Sequence, residues 1–102
     1  MSSVVVTAIN LVSSDNACGM NGNTFAGFNT SLGGYEEDTL TVPNVGYYPN
    51  CTISSVHSRT SGFGISGANV PLTIPYEGIE SLSFAIAAPG FPFTGVLTID
   101  LE

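Results

Sequence analysis

The sequence predicts an all-β domain, a sandwich or barrel of seven or eight short antiparallel strands. Three observations carry this expectation. β-branched and alternating apolar segments recur along the chain. Turn signals rich in Gly, Pro, Asn and Asp separate them roughly every 8–12 residues. No segment shows a capped apolar stripe of helical period. The 102 residues suffice for one domain with a core of its own. Only 9% of them are charged, against 43% hydrophobic. Ser, Thr, Asn and Gly therefore supply the polar surface, a balance that suits hydroxyl-faced strands and not solvated helices.

Taken in order, Ser-Val-Val-Val-Thr-Ala-Ile-Asn-Leu-Val-Ser at 3–13 is β-branched and reads as a first strand. Residues 15–24 are rich in Asn, Gly and Asp and read as a loop holding Cys18. Phe25 to Leu32 reads as a second strand, weakened by Gly27 and ended by Gly33-Gly34. Glu36-Glu37-Asp38 leads into a strand in which Leu40 and Val42 share a face, and 43–49 is turn-rich and carries Tyr47 and Tyr48. Cys51 to His57 reads as one strand with Cys51 and Ile53 on one side, and Ser61-Gly62 opens a short strand bearing Phe63 and Ile65. Leu72 and Ile74 pair on one face before the tight turn Pro75-Tyr76-Glu77-Gly78. Leu82, Phe84 and Ile86 then alternate with Ser81, Ser83, Ala85 and Ala87, the pattern of a half-buried antiparallel strand. Ala88 to Phe93 is a proline loop, and Leu97, Ile99 and Leu101 alternate with Val96, Thr98 and Asp100 in a last strand. Leu72, Ile74, Leu82, Phe84, Ile86, Leu97 and Ile99 are the expected inward set. There is no internal repeat and no linker.

Cys18 and Cys51 are the two cysteines, and in a short Ser/Thr-rich chain they read as one disulfide. Two separate buried thiols are the alternative. A bridge closing about 33 residues stabilises by roughly 3–4 kcal/mol in the chain-entropy model. No basic, then apolar, leader is visible at the start, and no apolar run approaches the roughly 20 residues of a membrane span. Met1 reads as an added start and Leu101-Glu102 as a vector-encoded junction; a natural small protein is the alternative reading of these ends.

Charge removes two classes of partner. The formal net charge is −7, Arg59 is the only strong base and lysine is absent. A phosphate backbone needs several cationic contacts, so nucleic-acid binding is excluded. Attraction to anionic lipid fails for the same reason, and no membrane insertion by this segment is expected. The acidity aids solubility, or points to a basic protein or a metal ion.

The closing third carries a resemblance. Val70-Pro71-Leu72-Thr73-Ile74-Pro75-Tyr76-Glu77-Gly78, then Ser81-Leu82-Ser83-Phe84-Ala85-Ile86-Ala87-Ala88-Pro89, then Thr94-Gly95-Val96-Leu97-Thr98-Ile99 resembles the closing half of immunoglobulin-like modules in bacterial and archaeal surface proteins. The shared pattern is a short strand, a Pro-x-x-Gly turn, an alternating strand, a proline loop and a Gly-led final strand. The resemblance implies an antiparallel immunoglobulin-like β-sandwich of seven or eight strands, used as a spacer or as an adhesive or binding unit. The Cys…Trp…Cys arrangement of antibody domains is missing, since the chain has no tryptophan.

Residues able to do chemistry are few. His57 is the only histidine, so a two-histidine copper site is impossible. No Gly-x-Ser-x-Gly nucleophile motif accompanies the many serines. A dyad of His57 with Cys18 or Cys51 conflicts with the expected disulfide, and a solvated strand histidine is the favoured reading. Glu36, Glu37 and Asp38 are the candidate ligands for a Ca²⁺ ion. Consecutive strand residues alternate sides, however, so the three converge only in a loop; the alternative is a solvated loop that simply keeps an edge strand from pairing with neighbours. Tyr47, Tyr48, Phe91 and Phe93 are the candidate binding aromatics, either presented to a sugar or protein or folded over the ends of the core. Asn29-Thr30-Ser31 and Asn50-Cys51-Thr52 fit the glycosylation pattern. The expectation is a non-catalytic structural or interaction module of a secreted or cell-surface protein, without cofactor, meeting an unknown protein or polysaccharide. A carbohydrate-binding module using the loop aromatics is the alternative.

Overall fold

The computed structural model describes residues 2–102; Met1, expected to be an added start, lies outside the described residues. The fold is all-β. Among the described residues nine strands run in the order β1 (Val4–Val12), β2 (Asn23–Thr30), β3 (Tyr35–Pro43), β4 (Asn50–Ile53), β5 (Val56–Ser58), β6 (Gly64–Ser66), β7 (Leu72–Pro75), β8 (Ile79–Ala87) and β9 (Phe93–Leu101). One short 3-10 turn, Ala17–Gly19, interrupts the loop after β1.

The strands form three sheets, ordered β2-β1-β9-β5, β3-β8-β6 and β4-β7. Five pairings are antiparallel, but β1 and β9 lie parallel, so the four-stranded sheet is mixed and not the purely antiparallel one expected. The ninth strand arises because the single strand expected over Cys51 to His57 is two. The chain leaves β7 at Ser54-Ser55 and crosses to β9, and the Ser54 and Ser55 amides donate to the Glu102 carbonyl at 2.6 and 3.1 Å.

Inner faces of the sheets meet in one apolar cluster. β1 supplies Val4, Val6, Ile9 and Leu11, β8 supplies Leu82, Phe84 and Ile86, and β9 supplies Leu97, Ile99 and Leu101. The inward side of β1 changes parity because Thr7 is bulged against β9: Val6 faces Gly95 while Ala8 faces Val96. The shift carries through to β2, where Phe25 and Phe28, three residues apart, both pack on the core. Of the expected inward set only Leu72 is half-buried; it sits in the small β4-β7 sheet, where its neighbour Ile74 is fully buried. Leu101, expected to be a junction residue, closes β9 in the core.

Glu36, Glu37 and Asp38 do not form the loop that would bring them together. They lie within β3, where Glu36 and Asp38 are half-buried opposite Ile86 and Phe84 while Glu37 is exposed on the other face. Burial among apolar neighbours raises the Asp38 pKa, against the opposing hydrogen bond from the Thr39 main chain. A strand places these carboxylates on alternate sides, so they cannot share one ion, and inward-pointing charge on an edge strand resists pairing with another chain.

Candidate functional site

Cys18 and Cys51 form a disulfide with Cα atoms 5.3 Å apart. It ties the 3-10 turn to the start of β4, at the end of the molecule where three connections converge: the turn at 17–19, the loop at 44–49 and the turn at 75–78. Main-chain bonds knit them. The Val45 amide donates to the Cys18 carbonyl at 2.9 Å, the Tyr76 amide to Pro49 at 3.0 Å, and the Asn44 amide to Gly78 at 3.0 Å. The backbones of Gly19 and Gly46 touch so closely that a Cβ on Gly19 would lie 2.8 Å from the Gly46 Cα. Only glycine fits such an approach.

Asn44 is the centre of this arrangement, and it is completely buried. Its Nδ2 donates to the carbonyls of Tyr47 at 2.7 Å and Ile74 at 3.0 Å. Its Oδ1 accepts from the amides of Gly46 at 3.2 Å and Tyr47 at 2.9 Å. Each donor and acceptor of the side chain is thus used to hold an irregular loop in one shape.

The loop so held presents tyrosines. Tyr48 is 83% exposed, Tyr47 and Tyr76 are also exposed, and the Tyr48 and Tyr76 rings meet edge to face at 5.7 Å and 80°. A shallow pocket beside them is lined by Asp15, Ala17, Cys18, Tyr47, Cys51 and Thr52. Tyr76 was not among the residues singled out from the sequence, although its turn was legible; what brings it to Tyr48 is the pairing of β4 with β7.

The other two expected aromatics are elsewhere. Pro43 pairs with Ile79 and Tyr35 with Ala87, so the loops after β3 and after β8 leave opposite ends of that strand pair, roughly 27 Å apart. Phe91 is half exposed and rests on Gly62, whose added Cβ would meet the Phe91 ring at 2.7 Å. Phe93 is half-buried, edge to face with Phe63 at 5.0 Å and 79°. The four aromatics therefore make no common surface.

A second polar cluster surrounds Asp100, which the alternation of β9 places on the outer sheet face. It is nonetheless buried. The Ser14 amide donates to its Oδ1 at 2.9 Å, the Ser14 hydroxyl donates to its Oδ2, and Arg59 Nε donates to the same oxygen at 3.2 Å. Arg59 also donates to the Ser14 hydroxyl oxygen. Burial works against ionisation of Asp100, but the hydrogen bonds from Ser14 and the bond and charge of Arg59 outweigh it and hold the pKa below the ordinary value. His57 pairs directly with Asp100 across β5 and β9, and its Nε2 stands 3.5 Å from Asp100 Oδ2 and 3.5 Å from Glu102 Oε1. Together the three offer a metal one nitrogen and two oxygens. The Arg59 guanidinium already supplies the positive charge at Asp100, which makes the group a clasp joining the end of β1 to β5 and β9. The Ser14 hydroxyl bonds Asp100 and Arg59, while His57 stands against the same carboxylate and Glu102, so the imidazole does not lie between serine and aspartate as in a Ser-His-Asp relay.

No family model, curated protein or solved structure matches the chain. Among the described residues no helix is long and apolar enough to cross a membrane.

Proposed function

We propose that this chain is a non-catalytic interaction module of a secreted or cell-surface protein, an immunoglobulin-like sandwich that meets a protein partner through its tyrosine-bearing end. One observation carries the reading: Tyr47, Tyr48 and Tyr76 are exposed on a loop and a turn locked together by the buried Asn44 and braced by the Cys18–Cys51 disulfide. Exposed aromatics on a rigid scaffold give contact area at little entropic cost on binding. The disulfide supports an oxidising compartment. Asp15 beside Tyr47 and the net charge of −7 favour a partner that brings a basic side chain.

A sugar platform needs rings lying in one plane, and the 80° angle between Tyr48 and Tyr76 does not provide one. The carbohydrate reading is therefore the weaker of the two. Binding of the fluorescently labelled domain to the cells that produce it separates them. Saturable binding that is abolished by protease treatment of the cells, and reduced in Tyr48→Ala, is the expected result. Retardation of the domain in gels containing xylan, mannan or soluble chitin oligosaccharides would move the assignment to carbohydrate. Hydrolysis of chromogenic esters or glycosides that disappears in a stably folded His57→Ala variant would overturn the non-catalytic reading.

A further inference from the structure

Strands at sheet margins offer unpaired main-chain groups to any passing chain, and folded proteins blunt them with shortness, proline or charge. Five of the six marginal strands here carry such a device. β5 and β6 have three residues each, and β4 and β7 have four each, with Pro71 and Pro75 bracketing β7. β3 has nine residues but holds Glu36, Glu37 and Asp38 and ends in Pro43. β2 is the exception. It is eight residues long, Asn-Thr-Phe-Ala-Gly-Phe-Asn-Thr, with no charge and no proline. Among the described residues it is hydrogen-bonded on its β1 side alone. Beside its first half an open groove, lined by Thr24, Phe25, Thr41 and Ile79, separates it from the edge of the neighbouring sheet.

We propose that the free edge of β2 is a pairing site for a second copy of this chain. The strand is close to a palindrome about Ala26 and Gly27. An antiparallel pair centred there sets Phe25 against the partner's Phe28, Thr24 against the partner's Asn29 and Asn23 against the partner's Thr30. Both phenylalanines lean toward the core side, so two aromatic cross-strand pairs form on that face, related by the two-fold axis. The small residues fall at the centre, where the backbones must approach most closely. Two four-stranded sheets become one of eight strands, and each unprotected edge removes the other.

The electrostatics distinguish this occupant from others. Each copy carries −7, while the paired strands carry no charge. Self-association is thus opposed only by repulsion between the rest of the two molecules, which salt screens. The dimer should strengthen as ionic strength rises, whereas a basic peptide added to the edge would be released by salt. An edge-only contact is small beside a standard interface of about 1,600 Å², so the dimer is weak and concentration-dependent.

Sedimentation equilibrium from micromolar to millimolar protein, at low and high salt, tests the proposal. The natural sequence should dimerise reversibly, and more tightly at high salt. Thr24 and Asn29 are exposed, so charges there leave the fold intact, as far-UV circular dichroism will check. Thr24→Lys/Asn29→Lys sets like charges opposite each other at both ends of the strand and should weaken the dimer roughly tenfold, although it reduces the net repulsion. Thr24→Lys/Asn29→Asp sets opposite charges in the same places and should retain it. A chain monomeric at every concentration would overturn the proposal. So would a dimer that the two double variants affect equally, because its contact would lie elsewhere.

Discussion

Replacing Asn44 by alanine should unfasten the tyrosine-bearing end, and the size of the effect follows from its four side-chain hydrogen bonds. Each is worth about 0.5–1.5 kcal/mol net. The Gly46 and Tyr47 groups lie toward solvent and recover water once the amide is gone. The Ile74 carbonyl is in a buried contact, so water does not replace the donor it loses. The total loss should be about 2–4 kcal/mol, large for a polar side chain. Urea unfolding followed by far-UV circular dichroism reads this directly. At a slope of about 1.5–2 kcal/mol per molar, the midpoint falls by about 1–2.7 M. Three of the four tyrosines lie at this end, so tyrosine fluorescence should change even in the folded variant. Asn44→Asp keeps the volume and the acceptor but turns the donor into an oxygen facing two carbonyls. Such a carboxyl has a folded-state pKa above its unfolded value, so its penalty is full at neutral pH and fades as the pH drops through the folded value. A loss below about 1 kcal/mol for Asn44→Ala, or an aspartate variant as stable as the natural protein at neutral pH, would refute the keystone role.

Other substitutions test separate parts of the account. Phe84 is buried at the centre of β8, and Phe84→Ala should cost about 3–5 kcal/mol in the same urea assay, a loss under about 1 kcal/mol being incompatible with the register. Glu77 has a φ of 62° in the turn closed by the bond from the Gly78 amide to the Pro75 carbonyl. Glu77→Gly should therefore raise stability by about 1 kcal/mol, and a lower melting temperature would show that its side chain is needed. Asp100 and Asp38 should respond to pH with opposite signs. The Asp100 pKa is lowered, so its stabilisation is present above the unfolded value of about 3.9 and is lost as the pH falls through the folded one; Asp100→Asn should cost most at neutral pH. The Asp38 pKa is raised, so its charge destabilises the fold at neutral pH; Asp38→Asn should stabilise there, with the gain vanishing on acidification, and a loss at neutral pH would contradict it.

Much of the fold was legible in local pattern, and most of the site was not. The strict alternation of Leu82, Phe84 and Ile86, and of Leu97, Ile99 and Leu101, identified β8, β9 and their buried faces. The break at Ser54-Ser55 carried no Gly or Pro; its local trace is the step from Ile53 to Val56, three residues on, which a bulge within one strand would also leave. The parallel pairing of β1 with β9 joins the two ends of the chain, which no window of neighbouring residues can report. Asp100 falls on the outer face as alternation says, but Ser14 and Arg59, distant in sequence, cover it. Asn44 follows a proline in a turn-rich stretch, a position where asparagine commonly bonds its own loop; that signal was available, while its reach to Ile74 was not. Glu36 to Asp38 looked like a solvated run because three acids beside a double glycine resemble a loop. Register with β8 makes them strand residues instead.

The contact surface itself is tested most directly by comparing substitutions at the two ends of the molecule. Tyr48→Ala/Tyr76→Ala removes the tyrosine pair, and Tyr35→Ala removes a ring at the far end of β3 whose exposure lies between those of Tyr48 and Tyr76. Binding isotherms of the labelled domain on the cells that produce it should show at least a roughly tenfold loss of affinity for the double variant, and affinity within about twofold of the natural protein for Tyr35→Ala. Equal affinities for the double variant and the natural domain, or a loss caused by Tyr35→Ala instead, would contradict the assignment of function to the end held by Asn44.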